Sequence, residues 1–213
     1  MNQKTIAGLV AGIALIAGIY LAVVIAPPSQ SSAPEYFQQY PQPRELSTFT
    51  LTSQDGKPLT NASLKAQWTL VFLGYTYCPD ICPTTMASLN QVYPQLQAIE
   101  AEYPVKVLFV SVDPNRDSVE RMAGYINFFN RDFIGATGPH DQLFPLARSM
   151  GMMYAIAGST DDPNYLVDHS ASVVLVNPEG QVVGRFKPNL VPGELPISDG
   201  QQILADLPLV IGR

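Results

Sequence analysis

Residues 68–86 read WTLVFLGYTYCPDICPTTM, and this stretch decides the fold because it leads from a strand through a loop into a helix. The segment from Trp68 to Tyr75 is continuously apolar and rich in β-branched and aromatic residues, which predicts a strand buried on both faces. After the loop, apolar side chains recur every three or four residues, which predicts a helix from Pro83 to Glu102. The loop contains Cys78 and Cys82, the only cysteines of the chain.

The next segments continue an alternation of strands and helices. Residues 105–112 (VKVLFVSV) predict a second buried strand. A helix is predicted from Asp117 to Phe129, and Asp117 and Glu120 have the spacing of a capping pair at its start. A short strand is predicted at 133–135.

The last third of the chain predicts one more helix, a hairpin and a closing helix. The first helix is expected at 141–150. Strands at 171–176 and 181–186 flank an Asn-Pro-Glu-Gly turn, which is typical of a hairpin. Ser198 is expected to cap the final helix. The order of elements favours an α/β, thioredoxin-like domain with a central mixed sheet flanked by helices and with one inserted helix.

The overall composition excludes one class of function. The chain has 213 residues, of which 46% are hydrophobic and 14% charged, and its formal net charge is −6. A nucleic-acid partner is not expected, because phosphate binding requires clustered Lys and Arg and no basic run occurs here.

The N-terminal region carries the longest apolar stretch. Residues 5–26 contain no charged side chain, and as a helix they would extend roughly 33 Å at about 1.5 Å per residue. This length exceeds a bilayer core of about 30 Å and predicts a transmembrane anchor at 1–26. A cleaved signal peptide is the alternative, although its apolar core is usually only about 7 to 15 residues long.

The flanks of this stretch predict its orientation and the layout of the chain. Lys4 precedes it and no basic residue follows before Arg44, which predicts a cytoplasmic N-terminus. We therefore expect a single-pass protein of the bacterial inner membrane whose C-terminal domain faces the periplasm. Residues 27–47, rich in Pro, Ser and Gln, predict an extended tether, and residues 48–213 predict the folded domain.

The two cysteines have the context of a reactive or metal-binding pair. A loop this short removes little chain entropy, so a purely structural disulfide is a weak alternative. Pro83 suits the first helical turn and places Cys82 at or near the N-cap, where the helix dipole is expected to lower the thiol pKa. Pro79 and Asp80 favour a turn that brings Cys78 back towards Cys82. Three residues separate the cysteines, whereas the usual dithiol oxidoreductase motif has two.

A third ligand for a metal must come from another part of the chain. The only histidines are His140 and His169, and His169 directly precedes the strand predicted at 171–176. In a thioredoxin-like fold the loop entering this strand passes over the cysteine loop, so Cys78, Cys82 and His169 are predicted to converge. This soft donor set favours Cu(I) and can hold Cu(II) with a further ligand, while zinc is less suited but not excluded.

Other side chains near these residues leave alternatives open. Asp168 either orients the imidazole of His169 or is solvated. His140 is interpreted as a surface residue. The methionines at 150, 152 and 153 either fill the core or supply soft ligands. The loop at 158–163 has little apolar content and is expected to be mobile.

Four motifs together resemble the SCO/SenC family over essentially the whole predicted domain. They are CPDICP at 78–83, SVDPNRD at 111–117, FIGATG at 133–138 and VDHSAS at 167–172. CPDICP followed downstream by VDHSAS is the part of the resemblance that is specific to this family. The resemblance implies a thioredoxin-like copper protein that serves assembly of the CuA centre in cytochrome c oxidase subunit II. It also implies one copper ion per chain, as Cu(I) or Cu(II), on Cys78, Cys82 and His169, supplied by a copper donor.

Two functional hypotheses remain. In the favoured one the chain is a copper metallochaperone and not an enzyme in the strict sense. In the other it is a thiol-disulfide oxidoreductase, in which Cys78 and Cys82 are a redox pair that reduces the cysteines of the copper-receiving partner. His169 separates the hypotheses, because metal retention needs it and dithiol exchange does not.

Overall fold

The computed structural model describes residues 2–25, 33–193 and 195–212. Its strands are β1 (Phe37–Glu45), β2 (Thr50–Ser53), β3 (Pro58–Thr60), β4 (Trp68–Gly74), β5 (Val105–Ser111), β6 (Ile134–Thr137), β7 (Tyr154–Ala157), β8 (Leu166–His169), β9 (Val173–Val176) and β10 (Gln181–Phe186). Its α-helices are α1 (Gln3–Ile25), α2 (Ile81–Gln97), α3 (Val119–Phe129), α4 (His140–Ser149) and α5 (Gly200–Ile211).

Eight of the strands form one mixed sheet in the order β1-β10-β9-β4-β5-β6-β2-β3. The central pair, β4 and β5, is parallel, as is the pair β5 and β6, while β9 runs antiparallel to β4. Strands β7 and β8 form a separate two-stranded hairpin. Helices α2 and α5 contact each other, and α3 contacts β6. The predicted α/β thioredoxin-like class is confirmed.

The two central strands are buried as their continuous apolar sequences predict. Leu70 and Phe72 of β4 and Phe109 of β5 have no exposed surface. Because the strands are parallel, with Gly74 opposite Ser111, their carboxyl ends meet at one edge of the sheet. The amide of Val112 donates to the carbonyl of Gly74 at 2.9 Å and joins the two loops that leave this edge. One of those loops carries the cysteines.

The start of α2 differs from the prediction. The helix begins at Ile81, with Asp80 in the N-cap position, and ends at Gln97. Cys82 is therefore in the first helical turn, two residues after the N-cap, which agrees with its predicted position at or near the N-cap. The cap of α3 also differs by one residue, since Ser118 accepts the amide of Arg121 there. In α5 the cap is Asp199, because its carboxylate accepts two amides of the first turn, and not Ser198.

The predicted tether is wrong over its second half. Residues 37–45 form β1, which pairs antiparallel with β10 at the edge of the sheet. The carboxylate of Asp206 on α5 accepts the amides of Tyr36 and Phe37 at 2.5 and 2.7 Å and holds the start of this strand. The boundary between the two compact units of the chain lies between Ala33 and Pro34, ahead of the predicted domain start at 48.

The N-terminal unit contains α1. Within the described ranges, 2–25, 33–193 and 195–212, no helix is long and apolar enough to cross a membrane. The transmembrane helix predicted at 1–26 is therefore not confirmed and stays a prediction. The first part of the predicted tether, 27–32, lies outside the described residues.

Candidate metal centre

The cysteine loop folds back on itself between β4 and α2. The amide of Cys78 donates to the carbonyl of Tyr75 at 3.2 Å, which closes a turn directly after the strand. The amide of Cys82, in the first turn of α2, donates to Sγ of Cys78 at 3.4 Å. Both thiols are free. The chain then bends at Pro79 and Asp80, as predicted, and this bend brings the sulfur of Cys78 onto the N-terminus of the helix.

Cys82 lies at the base of the site and has no exposed surface. Its Sγ packs directly against the backbone of Gly74, where an added Cβ would lie 2.8 Å from the sulfur and 2.6 Å from the ring of Phe109. Glycine is needed at this position because a larger residue would displace the sulfur or the ring. Cys78 is half-buried, so the pair consists of one accessible and one inaccessible sulfur.

His169 is the last residue of β8 and projects from the hairpin towards the cysteines. Its Nε2 lies 3.2 Å from Sγ of Cys82, and its Nδ1 lies 3.3 Å from the carbonyl oxygen of Ser170. A proton on Nδ1 can be donated to that carbonyl, which leaves the lone pair of Nε2 directed at the sulfurs. The rings of Phe72 and Tyr75 contact the imidazole edge-on, at centroid distances of 5.8 and 6.1 Å.

The ligand atoms of Cys78, Cys82 and His169 all lie within 4.8 Å of one another. Two sulfurs and one imidazole nitrogen at this separation can hold a metal ion, and their chemistry suits a soft one. The predicted convergence of the three side chains is thus confirmed, although their role as ligands stays a prediction. A surface cavity of about 240 Å³ opens onto Cys78 and His169 and is lined by Tyr75, residues 78–81 and residues 166–169.

The two thiols have opposite electrostatic environments. The pKa of Cys78 is lowered to about 4, chiefly because the Cys82 thiol donates a hydrogen bond to it, with further support from His169 and from backbone amides. Burial raises the pKa of Cys82, and the neighbouring Cys78 raises it further. The expected lowering at Cys82 is therefore wrong. The first-turn amide of α2 points at the sulfur of Cys78, while Cys82 is enclosed by the core.

The other candidate residues do not join this cluster. Asp168 is exposed, and the atom that faces Nδ1 of His169 is a backbone carbonyl, so an orienting role for Asp168 gains no support. His140 is half-buried, with Nδ1 2.8 Å from the hydroxyl of Tyr154. Met150 and Met152 are each 1% exposed and belong to the core, whereas Met153 is 71% exposed.

Asp117 is a structural residue of the site that the sequence analysis assigned to a different role. Its carboxylate accepts the amide and the hydroxyl of Thr76 at 2.9 and 2.6 Å and the hydroxyl of Ser111 at 2.5 Å. These bonds connect the cysteine loop to the end of β5. The signal that could have identified Asp117 is its place in SVDPNRD, in the loop that follows β5, the strand parallel to β4.

Fold and site together define a thioredoxin-like protein with a Cys-Cys-His group that can hold a metal ion. The family model described as SCO1/SenC matches residues 38–199, and the chain belongs to this family. The matched range begins within β1 and includes all three residues of the group.

Individual relatives support the same assignment. The protein is 39% identical over 132 residues to the mitochondrial protein SCO2 homolog of Bos taurus, a match that covers 62% of this chain and 50% of the bovine protein. A Stutzerimonas stutzeri protein whose name describes it as copper-binding is 33% identical over 147 residues, 69% of this chain and 71% of that protein. The chain spans about half the length of the mammalian mitochondrial relatives it matches.

A solved structure of the family has the same fold. The crystal structure of ScoI from Arabidopsis thaliana with copper bound superposes with a TM-score of 0.66 at 29% sequence identity, and the match covers 79% of this chain and 99% of that one.

Proposed function

We propose that this protein binds one copper ion through Cys78, Cys82 and His169 and delivers it for assembly of the CuA centre of cytochrome c oxidase. The observation that carries the proposal is the convergence of the three ligand atoms within 4.8 Å of one another. Membership of the SCO1/SenC family and the copper-bound state of the Arabidopsis relative support copper as the metal.

The donor set explains the choice of metal. Thiolates are soft ligands that favour Cu(I), and neutral imidazole completes a three-coordinate set. Cu(II) can bind with an additional ligand, whereas structural zinc usually takes four closed protein ligands. Cys78 needs little energy to become a thiolate because its pKa is already low. The buried Cys82 must lose its proton when the ion enters, which couples copper binding to proton release.

Transfer to a partner is expected to proceed by ligand exchange. The cavity over the site exposes Cys78 and His169, while Cys82 lies beneath them. An incoming sulfur or imidazole of the partner would first replace His169, whose strand belongs to a separate hairpin and not to the main sheet. The two cysteines would then leave in turn, and the oxidation state of the ion would not change.

The cellular setting is part of the same proposal. The apolar stretch within 1–26 is proposed as a membrane anchor that leaves the copper-binding domain in the periplasm of a bacterium. Oxidase subunit II and a copper donor are the proposed partners. Attachment to one membrane would raise the effective concentration of the domain near a membrane-bound acceptor.

Copper retention by the reduced full chain, purified in mild detergent, tests the proposal. We expect one tightly held copper per chain, and its loss in His169→Ala and in Cys78→Ser/Cys82→Ser. His140→Ala is the matched control, because that histidine lies outside the Cys-Cys-His group. Failure of the reduced wild type to hold copper would overturn the proposal.

Thiol-disulfide exchange is a second candidate function, favoured by the asymmetry of the two cysteines. The accessible Cys78 with its low pKa has the properties of an attacking thiolate, and the buried Cys82 those of a resolving thiol. Cys78 would attack a disulfide of the partner and release one partner thiolate. Cys82 would then lose its proton and attack the mixed disulfide, which releases the second partner thiolate and leaves this chain oxidised.

His169 distinguishes the second candidate from the first. Its replacement by alanine should abolish copper retention but largely spare the rate of disulfide reduction, because the imidazole forms no bond to sulfur in the exchange and contributes less than Cys82 to the low pKa of Cys78. Reduction of a model disulfide by dithiothreitol-recycled protein measures that rate. No exchange above the Cys78→Ser background would exclude this function.

A further inference from the structure

Arg116 lies between the two segments that carry the metal-binding residues. It belongs to the loop between β5 and α3, and its side chain is only 12% exposed. Its Nε donates to the carboxylate of Asp113 at 2.5 Å, and this contact fixes the direction of the guanidinium. A largely buried, oriented guanidinium can serve several neighbours at once because it carries five N–H groups in a plane.

One side of this guanidinium contacts the segment that leads into β8. Nη1 donates to the carbonyl of Pro163 at 3.0 Å, and Cζ lies 3.5 Å from the ring centroid of Tyr165. The hydroxyl of Tyr165 donates to the same Asp113 carboxylate that holds Arg116. Tyr165 directly precedes β8, which ends at His169. The last residue of the loop at 158–163 is thus held by Arg116 next to the strand that carries His169.

The other contacts of Arg116 lie in the cysteine loop. Its Cζ is 4.8 Å from the ring centroid of Tyr77 and 5.7 Å from that of Tyr75. Tyr77 directly precedes Cys78, and Tyr75 lies three residues before it. A single side chain therefore packs against both segments, although the cysteine loop and β8 are about 90 residues apart in sequence and β8 pairs only with β7 in the described residues.

We propose that Arg116 is a positioning residue that clamps the β7–β8 hairpin against the cysteine loop and so keeps His169 within bonding distance of the two sulfurs. Slow release of copper is the one consequence of this clamp that rests on the proposed copper-binding function. The clamp itself is a property of the metal-free chain. It requires the planar fork of arginine, so lysine, which keeps the charge, cannot replace it.

Hydrogen exchange on the reduced, metal-free full chain tests the clamp. Arg116→Lys and Arg116→Met should raise the exchange rates of the β7 and β8 amides by about tenfold or more, because each loses a hydrogen bond from a charged donor to the hairpin segment. Tyr165→Phe, which keeps the ring but loses the hydroxyl bond to Asp113, should give a smaller increase. Exchange in β4 and β5 should not change.

Arg121→Met is the matched control. Arg121 is exposed, its Cζ lies 3.7 Å from the ring centroid of Tyr77, and its Nε donates to Thr76. It therefore contacts the cysteine loop through the same tyrosine but makes no hydrogen bond to the hairpin among the described residues, and hairpin exchange should stay at the wild-type rate. Unchanged hairpin exchange in Arg116→Lys would overturn the clamp.

Copper release provides the second measurement. Transfer of copper from the loaded chain to an excess of a chelator should be faster by about tenfold in Arg116→Lys, because His169 dissociates more often when its hairpin opens. Arg121→Met should release copper at the wild-type rate. If the wild type holds no copper, the proposed function fails, while hydrogen exchange still decides on the clamp. If Arg116→Met does not fold, Arg116→Lys and Tyr165→Phe decide.

Discussion

At the scale of single residues, Cys78 and Cys82 have different acidity and exposure, although only three residues separate them. Cys78 receives hydrogen bonds from the thiol and the amide of Cys82 at the surface, and Cys82 is enclosed between Gly74 and the core. The thiol pKa of Cys78 is thereby lowered, whereas that of Cys82 is raised. A metal ion that enters meets one sulfur that is already a thiolate and one that becomes a thiolate only on binding.

This difference predicts how the metal-free, reduced protein reacts with iodoacetamide. Because the pKa of Cys78 is about 4, its thiolate fraction falls only when the pH drops through that value, and its alkylation rate should be constant between about pH 6 and 8. An ordinary thiol, with a pKa of about 8.5, would slow about tenfold for each pH unit in this range. Peptide mass spectrometry after timed labelling measures the rate for each cysteine.

The Cys82→Ala variant is the control for this prediction. It removes the hydrogen-bond donor that contributes most to the low pKa of Cys78, so the alkylation rate of Cys78 should become pH-dependent below about pH 8. A wild-type rate that already rises tenfold per unit would show that Cys78 is an ordinary thiol. Cys82 itself should label slowly at every pH because it is buried.

At the scale of elements, the sequence predicted what local pattern determines. The central strands and α2 follow from continuous apolar runs and from helical periodicity, and the motif around the cysteines predicted their turn. Strand β1 was missed because its sequence, FQQYPQPRE, has neither alternation nor a continuous apolar run. It is held by distant residues: Asp206 accepts its first amides, and Gly184 of β10 leaves room for the ring of Phe37.

In the candidate site, too, some features follow from the local sequence and others depend on distant residues. The donor residues are visible in the sequence, since Cys78, Cys82 and His169 are of types that bind metals and their motifs are specific. The direction of the Cys82 pKa shift and the contacts of Arg116 depend on burial and on tertiary packing, which one sequence does not display. Asp117 was assigned to a helix cap because local spacing permits it, but tertiary hydrogen bonds to Thr76 and Ser111 determine its orientation.

The attachment of β1 predicts a large effect of Asp206→Ala. The variant leaves the buried amide of Phe37 and the partly buried amide of Tyr36 without their acceptor, which should lower the free energy of unfolding by about 2–4 kcal/mol. Urea unfolding measures the loss, and limited proteolysis should show new cleavage within residues 34–45. Asp55→Ala, at an exposed turn, is the control and should change stability by less than about 0.5 kcal/mol. Equal losses in both variants would contradict this role of Asp206.

At the scale of the whole molecule, two of the proposed ligands are close together in sequence and the third is distant. Cys78 and Cys82 are neighbours in the chain, so they remain a close pair even when it is unfolded, whereas His169 is 87 residues beyond Cys82 and reaches them only in the folded state. A metal stabilises a protein only to the extent that it binds the folded state more tightly than the unfolded one. The stabilisation by copper should therefore depend mainly on His169, although the cysteines supply two of the three donors.

Thermal unfolding of the reduced chain with and without Cu(I) tests this argument. If Cu(I) is present at about 100 times the dissociation constant of the folded state, it should add up to about 2.7 kcal/mol. For a protein of this size that corresponds to a rise in Tm of about 5–10 °C. In His169→Ala most of the rise should disappear even though both thiols remain, while His140→Ala, which leaves the metal-binding group intact, should keep it. If His169→Ala kept the full rise in Tm, copper would be held by the cysteines alone, and the histidine would contribute nothing to the preference of the ion for the folded chain.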